Sequence, residues 1–276
     1  MLSKIDIENQ IGRGINIVPF KIDNIKENSV NLTLSEIAWS VTYDKDEKRF
    51  KRAQKVCENE KVVLHPHSTT IVYTKEVISL NGKFGGTFHA KVGIVAKGVI
   101  FSSTTLGPWY CGHLMITIQN PNDFEIELKV GETFISLVLY KLDTPLKKMI
   151  VNSNNGGHTE KLSYYGIQLD DYLQHYFDQD WKKNHSSIRE KLLLENEYSS
   201  LKNILKVRYR KRNMILGFIL VVISVLVYFL FSSIFKLDTI PNILTTVSTD
   251  IVVGLIMIVV DKFTGFLNGL FNNSDT

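Results

Sequence analysis

Cysteine is nearly absent from this sequence of 276 residues, and its scarcity argues against two classes of protein. The two cysteines, Cys57 and Cys111, have neither the spacing of metal ligands nor the number that a disulfide framework needs. The start, MLSKID, lacks the apolar core of a signal peptide, so we expect no secretion by that route. A cysteine metal site and a disulfide-stapled secreted domain are therefore both disfavoured.

A general excess of charge is missing as well. Lys and Arg number 32 against 28 Asp and Glu, which gives a formal net charge of +4. Residues 202–212 contain six basic residues and no acid, so the excess is one local patch. This distribution argues against a protein that coats nucleic acid, and we expect no nucleic-acid partner.

Signals of metal binding and of nucleophilic catalysis are scarce. The seven histidines form no cluster, and the pair His65 and His67 is a weak metal signal. No arrangement of serine, histidine and acid stands out as a nucleophile triad. We therefore predict no metal site and no cofactor.

Against these absences stands one long apolar run. Residues 214–235 (MILGFILVVISVLVYFLFSSIF) contain no charge and no proline, and about 1.5 Å per residue lets them cross a hydrocarbon core of about 30 Å. We interpret this run as a first transmembrane helix and residues 240–260 as a second, which together make a hairpin. Asp250 in the second helix faces either a bundle interior or the far interface, on a short tilted or re-entrant helix. The basic patch before the run predicts a cytoplasmic N-terminal part and a cytoplasmic tail, residues 261–276.

Three segments precede the apolar run. Residues 1–150 contain short β-branched runs (SVNLTL, TTIVYT, GIVAKGVIF, HLMITI and FISLVLY) between turn signals, which predict an all-β barrel or sandwich. Residues 151–167 include NSNNGGH and predict a hinge. Residues 168–212 lack Gly and Pro and carry apolar residues at spacings of three and four, so they predict a helical linker or stalk, with the alternative that part of it packs on the domain before it.

Several segments of residues 1–145 follow a recognisable order. They are MLSKIDIENQIGRGINIVPF, ENSVNLTLS, LHPHSTTIVYTKEVISL, GHLMITIQN and IELKVGETFISLVLYKL. The first three resemble the N-terminal half of deoxycytidine triphosphate (dCTP) deaminases, and the last two resemble the core that those enzymes share with trimeric dUTPases. The resemblance implies a mainly β, dUTPase-like (β-clip) barrel, followed here by the helical stalk and the two transmembrane helices.

The acids on which those enzymes rely are missing from this sequence. Gly107 stands where dUTPases have the Asp that holds the sugar 3′ hydroxyl and activates water, and Thr117 stands where the deaminases have a Glu. Neither residue can act as a general base. The resemblance therefore implies a domain without catalytic residues, which is not an enzyme.

What the resemblance leaves is the outline of a pyrimidine pocket. Tyr110 matches the tyrosine that packs on the sugar, and Trp109 adds a second aromatic ring on which a base can stack. Lys91 stands in the phosphate motif, and lysines meet phosphate as point charges. The ligand-binding residues that the resemblance implies are Lys91, Gly93, Lys97, Ser102, Ser103, Thr104, Trp109 and Tyr110.

Such a domain joined to C-terminal membrane helices resembles the transmembrane effector of bacterial cyclic-pyrimidine (Pycsar) anti-phage systems. That resemblance implies a multi-pass protein of the bacterial inner membrane that binds cyclic UMP (cUMP) or cyclic CMP (cCMP) and then disrupts the membrane. Its partners would be the cyclic nucleotide, membrane lipid and two further copies of itself in a trimer.

One residue favours this interpretation and one opposes it. A carboxylate at Gly107 would repel the phosphate of a 3′,5′-cyclic nucleotide, and glycine removes that repulsion. Tyr110 is retained, although in dUTPases that ring excludes ribose. Two alternatives therefore stay open, a membrane-tethered nucleotide enzyme with rearranged catalytic residues and a non-catalytic trimeric membrane scaffold.

Overall fold

The structure is a computed structural model, and it divides the chain into two units. One unit spans Met1–Asn203 and the other begins at Ile204. The predicted second membrane helix, residues 240–260, and the tail, residues 261–276, lie outside the described residues, as do residues 151–158 of the predicted hinge. The residues that the structure describes are 1–41, 43–44, 49–50, 54–147 and 159–234.

Strands dominate the first 141 residues and helices follow them. The strands are β1 (Ile15–Val18), β2 (Val30–Val41), β3 (Tyr43–Asp44), β4 (Arg49–Phe50), β5 (Gln54–Lys55), β6 (Cys57–Glu58), β7 (Lys61–Leu64), β8 (Ser68–Leu80), β9 (Phe84–Ala90), β10 (Ile100–Phe101), β11 (Thr105–Leu106), β12 (Cys111–Asn120), β13 (Ile126–Lys129) and β14 (Thr133–Lys141). The α-helices are α1 (Lys4–Gln10), α2 (Val92–Val95), α3 (Asp171–Asp178), α4 (His185–Leu193) and α5 (Asn196–Ile234), and short 3₁₀ helices occupy Ile22–Asn24, Thr159–Tyr165 and Asp180–Lys182.

The main sheet is antiparallel and runs in the order β10-β12-β8-β2-β14-β9-β11, with β1 beside β8 and β5 beside β2. A small sheet, β13-β7-β6, and the pair β3-β4 complete the strands of the described residues. The long strands β2 and β8 are buried along nearly their whole length, because side chains on both of their faces are covered. The prediction of a mainly β N-terminal part followed by helices is confirmed.

One predicted strand is wrong in its first half. The run GIVAKGVIF begins inside the single helical turn α2, and only its end forms the edge strand β10. Gly98 adopts a left-handed φ of +85°, a conformation that glycine tolerates and that ends the turn. The β-branched residues of α2 favour a strand on local propensity, and this backbone geometry overrides that preference.

The segment 168–212, predicted as a helical linker or stalk, forms separate helices rather than one rod. The side chain of Asp170 accepts a hydrogen bond from the backbone N–H of Leu173 at 2.8 Å, which caps the start of α3. Asn184 caps α4 in the same way by accepting from Ser186 N–H at 3.0 Å. Such caps satisfy the first backbone donors of a helix, so the chain breaks here without Gly or Pro.

These helices pack against the main sheet within the first unit. Phe177 of α3 lies with its ring centroid 4.9 Å from that of Tyr73 in β8, and Tyr73 meets the edge of Trp39 in β2 at 6.2 Å. Ile188 and Leu192 of α4 are fully buried. Burial of these apolar side chains holds the helices on the sheet.

The helix α5 contains residues 214–234 of the predicted first membrane helix. Within the part of the chain that the structure describes, no helix combines the length and the apolarity that crossing a membrane takes.

Candidate functional site

A cavity of about 150 Å³ opens beside α2, and lysine side chains surround it. Lys61, Lys97 and Lys129 line the cavity together with Thr133. Lys91 precedes α2 and does not itself line the cavity, but its Nζ donates a hydrogen bond at 2.7 Å to Oγ1 of the lining residue Thr133. The structure therefore gathers two predicted phosphate contacts, Lys91 and Lys97, at one cavity.

Acidic groups offset part of this positive charge. The carboxylate of Glu127 lies 2.6 Å from Lys61 Nζ, and both side chains are about half exposed, so the ion pair is weak. Lys97 Nζ donates to the main-chain oxygen of Glu127 at 3.1 Å. Glu132 also lines the cavity. The lining remains basic, and an anion is the ligand that it favours.

Two of the cavity lysines are direct cross-strand partners. Lys61 of β7 stands opposite Lys129 of β13 in the antiparallel register. Like charges placed directly opposite each other destabilise a sheet. A bound anion would relieve this repulsion.

The aromatic pair lies on the short connection between β11 and β12. Trp109 has a left-handed φ of +63°, and its indole Nε1–H donates to Leu146 O at 2.9 Å. The ring of His185 meets the indole edge-on, with 5.6 Å between centroids. The hydroxyl of Tyr110 donates to the main-chain oxygen of His113. Both predicted aromatic residues are half-buried and already hydrogen-bonded.

The predicted base-contacting residues Ser102, Ser103 and Thr104 join β10 to β11. Ser103 Oγ donates to Phe88 O at 2.6 Å, so this hydroxyl braces the loop against β9. Ser102 and Thr104 have exposed side chains. Ser103 is exposed as well, so all three residues are accessible, and the hydroxyl of Ser103 is the one that this hydrogen bond engages.

The lysine cavity and the aromatic pair lie at opposite ends of β9. Lys91 follows the last residue of this strand, whereas Trp109 lies against Gly82, which precedes the strand. A strand of seven residues spans about 20 Å. One chain therefore brings Lys91 near Lys97 and Trp109 beside Tyr110, and it does not bring these two half-sites together.

Gly107, which stands where the dUTPases have an Asp, is open, and so is Gly93 after Lys91. A Cβ added at Gly107 or at Gly93 would meet no heavy atom within 4 Å. Thr117 lies half-buried in β12, and its main-chain oxygen accepts a hydrogen bond from Ser102 N–H at 3.4 Å. Among the described residues, no three His, Cys, Asp or Glu side chains converge closely enough to hold a metal ion.

Buried basic groups lie beneath α3, next to the aromatic pair. Burial lowers the pKa of His113 to about 3, with a smaller effect from the charge of Lys182, so the imidazole is neutral. His113 Nδ1 lies 3.0 Å from Thr74 O and donates to it, and Nε2 has no hydrogen-bond partner among the described residues. Lys182 Nζ donates to Tyr176 O at 2.6 Å, and burial lowers its pKa to about 8.

Four residues of these half-sites were missed by sequence reasoning. Their positions come from strand register and from the packing of α4, neither of which leaves a local signal in the sequence. Lys61 and Lys129 each lie at the end of a separate strand, and in the sequence they look like ordinary surface charges. Only the register of the two strands shows that they are partners. The missed residues are Lys61, Lys129, Thr133 and His185.

Known proteins resemble the N-terminal part of this chain. A dCTP deaminase of Pyrococcus horikoshii is 27% identical over 85 residues, which are 31% of this chain and 54% of that protein. A probable deoxyuridine 5′-triphosphate nucleotidohydrolase of Sulfolobus islandicus rod-shaped virus 1 is 25% identical over 150 residues, which are 54% of this chain and 88% of that protein. The chain thus spans about half the length of the first of these relatives.

Solved structures resemble the chain at a lower level of identity. The 2′-deoxycytidine 5′-triphosphate deaminase from Agrobacterium tumefaciens has 16% identity and a TM-score of 0.42, and the match covers 51% of this chain and 48% of that one.

The N-terminal part is a mainly β domain, and helices follow it. Residues 1–142 match the dCTP deaminase-like family, and the chain belongs to that family.

Proposed function

We propose that the N-terminal domain binds a pyrimidine nucleotide without turning it over. The observation that carries this proposal is the cavity in which lysine side chains converge, in a family domain whose acid positions are Gly107 and Thr117. An ammonium cluster holds phosphate, whereas deamination and hydrolysis each need a group that activates water. Binding is retained in this arrangement and catalysis is lost.

The proposed ligand is a 3′,5′-cyclic pyrimidine nucleotide, cUMP or cCMP. The open space at Gly107 supports this ligand, because no heavy atom lies within 4 Å of a Cβ added there. A cyclic phosphate at the sugar 3′ oxygen needs both that space and the absence of a carboxylate. Trp109 and Tyr110 supply rings for the base and the sugar.

The proposed binding form is a trimer. The separation of the half-sites along β9, about 20 Å, supports a site that forms between copies of the chain. In that assembly the lysine cavity of one subunit faces the aromatic pair of the next. A ring of this kind uses the same head-to-tail contact at each interface.

The proposed output acts on a membrane. Its support is the sequence: the uncharged run of residues 214–235, the second apolar stretch at residues 240–260, and the basic patch at residues 202–212. In this proposal the chain lies in the bacterial inner membrane, and nucleotide binding disrupts that membrane as an anti-phage response.

Calorimetry of the full-length chain in detergent, titrated with cUMP, cCMP, dUTP and dCTP, tests the binding proposal. We expect heat of binding with one of the cyclic nucleotides and no product from dUTP or dCTP after prolonged incubation. Release of dUMP or of deaminated nucleotide, at a rate above that of a buffer control, would make the domain an enzyme. If none of the four nucleotides binds, the binding proposal is wrong.

Dye release from vesicles that contain the full-length chain tests the output. We expect release only after the bound cyclic nucleotide is added. A variant that ends after Arg212 is the matched control, because it keeps the domain and lacks the apolar run. Equal release with and without nucleotide would leave a membrane anchor and no switch.

A further inference from the structure

The segments after the family domain hold the indole of Trp109. Leu146 O accepts the indole Nε1–H at 2.9 Å, and the ring of His185 meets the indole edge-on at 5.6 Å, with an interplanar angle of 88°. Residues 1–142 match the family, so both contacts come from the chain beyond the match. The tryptophan of the proposed pyrimidine site is therefore held by residues that the family domain does not supply.

The backbone around this contact is adapted to it. Leu146 N–H donates to Gly82 O at 2.9 Å, which holds Leu146 against the turn that contains Gly82. A Cβ at Gly82 would lie 2.0 Å from Leu146 O and 2.7 Å from the indole nitrogen of Trp109. Only glycine leaves room for this hydrogen bond, so the chain at Gly82 is built around it.

Trp109 has a backbone conformation that needs such support. Its φ of +63° lies in the left-handed region, which a bulky residue adopts only where its surroundings hold it. The contacts from Leu146 and His185 provide that hold. Without them we expect the indole and the loop that carries it to lose a single orientation.

His185 lies on a helix that is firmly packed in the domain. The residue begins α4, whose Ile188 and Leu192 are fully buried, and Arg189 Nε donates to Gly12 O at 2.7 Å. His185 Nδ1 lies 2.6 Å from Ser79 Oγ, and Ser79 is itself fully buried in β8. The contact with Ser79 and the anchored helix α4 therefore hold the imidazole in place against the indole.

We propose that His185 is a positioning residue of the pyrimidine site, through which the C-terminal helices set the orientation of Trp109 and respond to its occupancy. This inference rests on the proposed function, because it assigns Trp109 to a nucleotide site. Since contact is mutual, a ligand that stacks on Trp109 stabilises α4 in its docked position, and α4 leads directly into α5.

Two variants separate the parts of this contact. His185→Asn places an amide near the position of Nδ1, so it can keep the hydrogen bond to Ser79, and it removes the ring edge. Ser79→Ala keeps the imidazole and removes its anchor. His175→Asn is the matched control, because His175 is exposed on α3.

The full-length chain, labelled with 5-fluorotryptophan and held in detergent, gives three ¹⁹F resonances, since the sequence contains three tryptophans. The Trp109 resonance is assigned by its loss in Trp109→Phe. We expect His185→Asn to shift that resonance and to weaken binding of the tightest of cUMP, cCMP, dUTP and dCTP by about three- to tenfold, at an unchanged melting temperature. Ser79→Ala should move the resonance in the same direction, and His175→Asn should change neither quantity.

Hydrogen exchange of residues 185–193 gives the response in the other direction. We expect the bound nucleotide to slow exchange there, and Trp109→Ala to speed it in the absence of nucleotide. A Trp109 resonance that both variants leave at its wild-type position would overturn the inference, as would an unchanged affinity in a variant that shifts it. If the variants shift the resonance and none of the four nucleotides binds the wild-type chain, the proposed function fails and the contact between His185 and Trp109 stands.

Discussion

The pairing register of β7 with β13 places the charges of Lys61 and Lys129 next to each other. Each is an exposed lysine at the end of a short strand, and the pairing of β7 with β13 sets them opposite each other. Their repulsion weakens the small sheet, because like charges stand directly opposite each other. A charged residue that lines a cavity and lowers the stability of the fold is a candidate for ligand binding.

Lys129→Ala should separate binding from stability. We expect the affinity for the bound nucleotide to fall at least about tenfold, since a charge-assisted hydrogen bond contributes about 1.5 to 3 kcal/mol. The free energy of unfolding should stay level or rise by a few tenths of a kcal/mol, because the repulsion with Lys61 disappears. Calorimetry and urea unfolding measure the two quantities. Lys75→Ala, at an exposed residue of β8 away from the cavity, is the control and should leave the affinity unchanged.

His113 makes the stability of the domain depend on pH. Its pKa of about 3 in the folded state lies below the ordinary value of 6.5, so the unfolded chain binds more protons between these two values. Stability is therefore full above pH 6.5 and falls as the pH drops toward 3. Between pH 6.5 and pH 5 this group should remove about 1 to 2 kcal/mol from the free energy of unfolding.

His113→Phe should flatten that dependence. The variant loses the hydrogen bond to Thr74 O and is less stable at pH 7.5, but its free energy of unfolding should change less between pH 6.5 and pH 5. Urea unfolding at three pH values, followed by tryptophan fluorescence, measures the slope. The exposed His175 offers the control His175→Phe, and equal slopes in all three proteins would show that His113 does not cause the dependence.

At the scale of elements, the sequence indicates that residues 168–212 are helical and leaves open whether part of them packs on the domain, and it does not indicate where the helix breaks. The absence of Gly and Pro in residues 168–212 correctly indicates helix, but the breaks come from Asp170 and Asn184, whose side chains cap the next helix. In the sequence, an Asp or Asn that caps a helix looks like any other polar residue of a helical pattern. The contact of Phe177 with Tyr73 joins positions about a hundred residues apart, which a local pattern does not encode.

Phe177→Ala should release α3 from the sheet. Phe177 is 2% exposed and contacts the rings of Tyr73 and His113, so the cavity and the lost apolar burial should cost about 3 to 5 kcal/mol. Hydrogen exchange of residues 171–193 and thermal unfolding measure the loss. Tyr172→Ala on the exposed face of the same helix is the matched control and should cost less than about 1 kcal/mol. Equal protection of α3 in the Phe177 variant and the wild type would contradict the assigned packing.

At the scale of the whole molecule, the sequence indicates the class of fold better than the layout of the site. The β-branched runs of β2, β8, β12 and β14 predict strands correctly, because residues of this type favour the buried surface of a sheet. The order in which the strands pair follows from long-range contacts that no single run carries. For this reason the sequence assigns Lys91 and Trp109 to one pocket without showing that they lie at opposite ends of β9.

That separation makes each proposed site the joint property of two subunits, with a genetic consequence. Lys91→Ala damages only the half-site at the end of β9, and Trp109→Ala damages only the half-site at its start. Chains of the two defective variants, produced together in one cell and purified by two different tags, should complement each other. Every trimeric ring that contains both kinds of chain has about one intact site in three, with the lysine from one chain and the tryptophan from its neighbour. Titration of the mixed preparation should recover that fraction of binding, whereas a preparation as inactive as either variant alone would place the whole site within one chain.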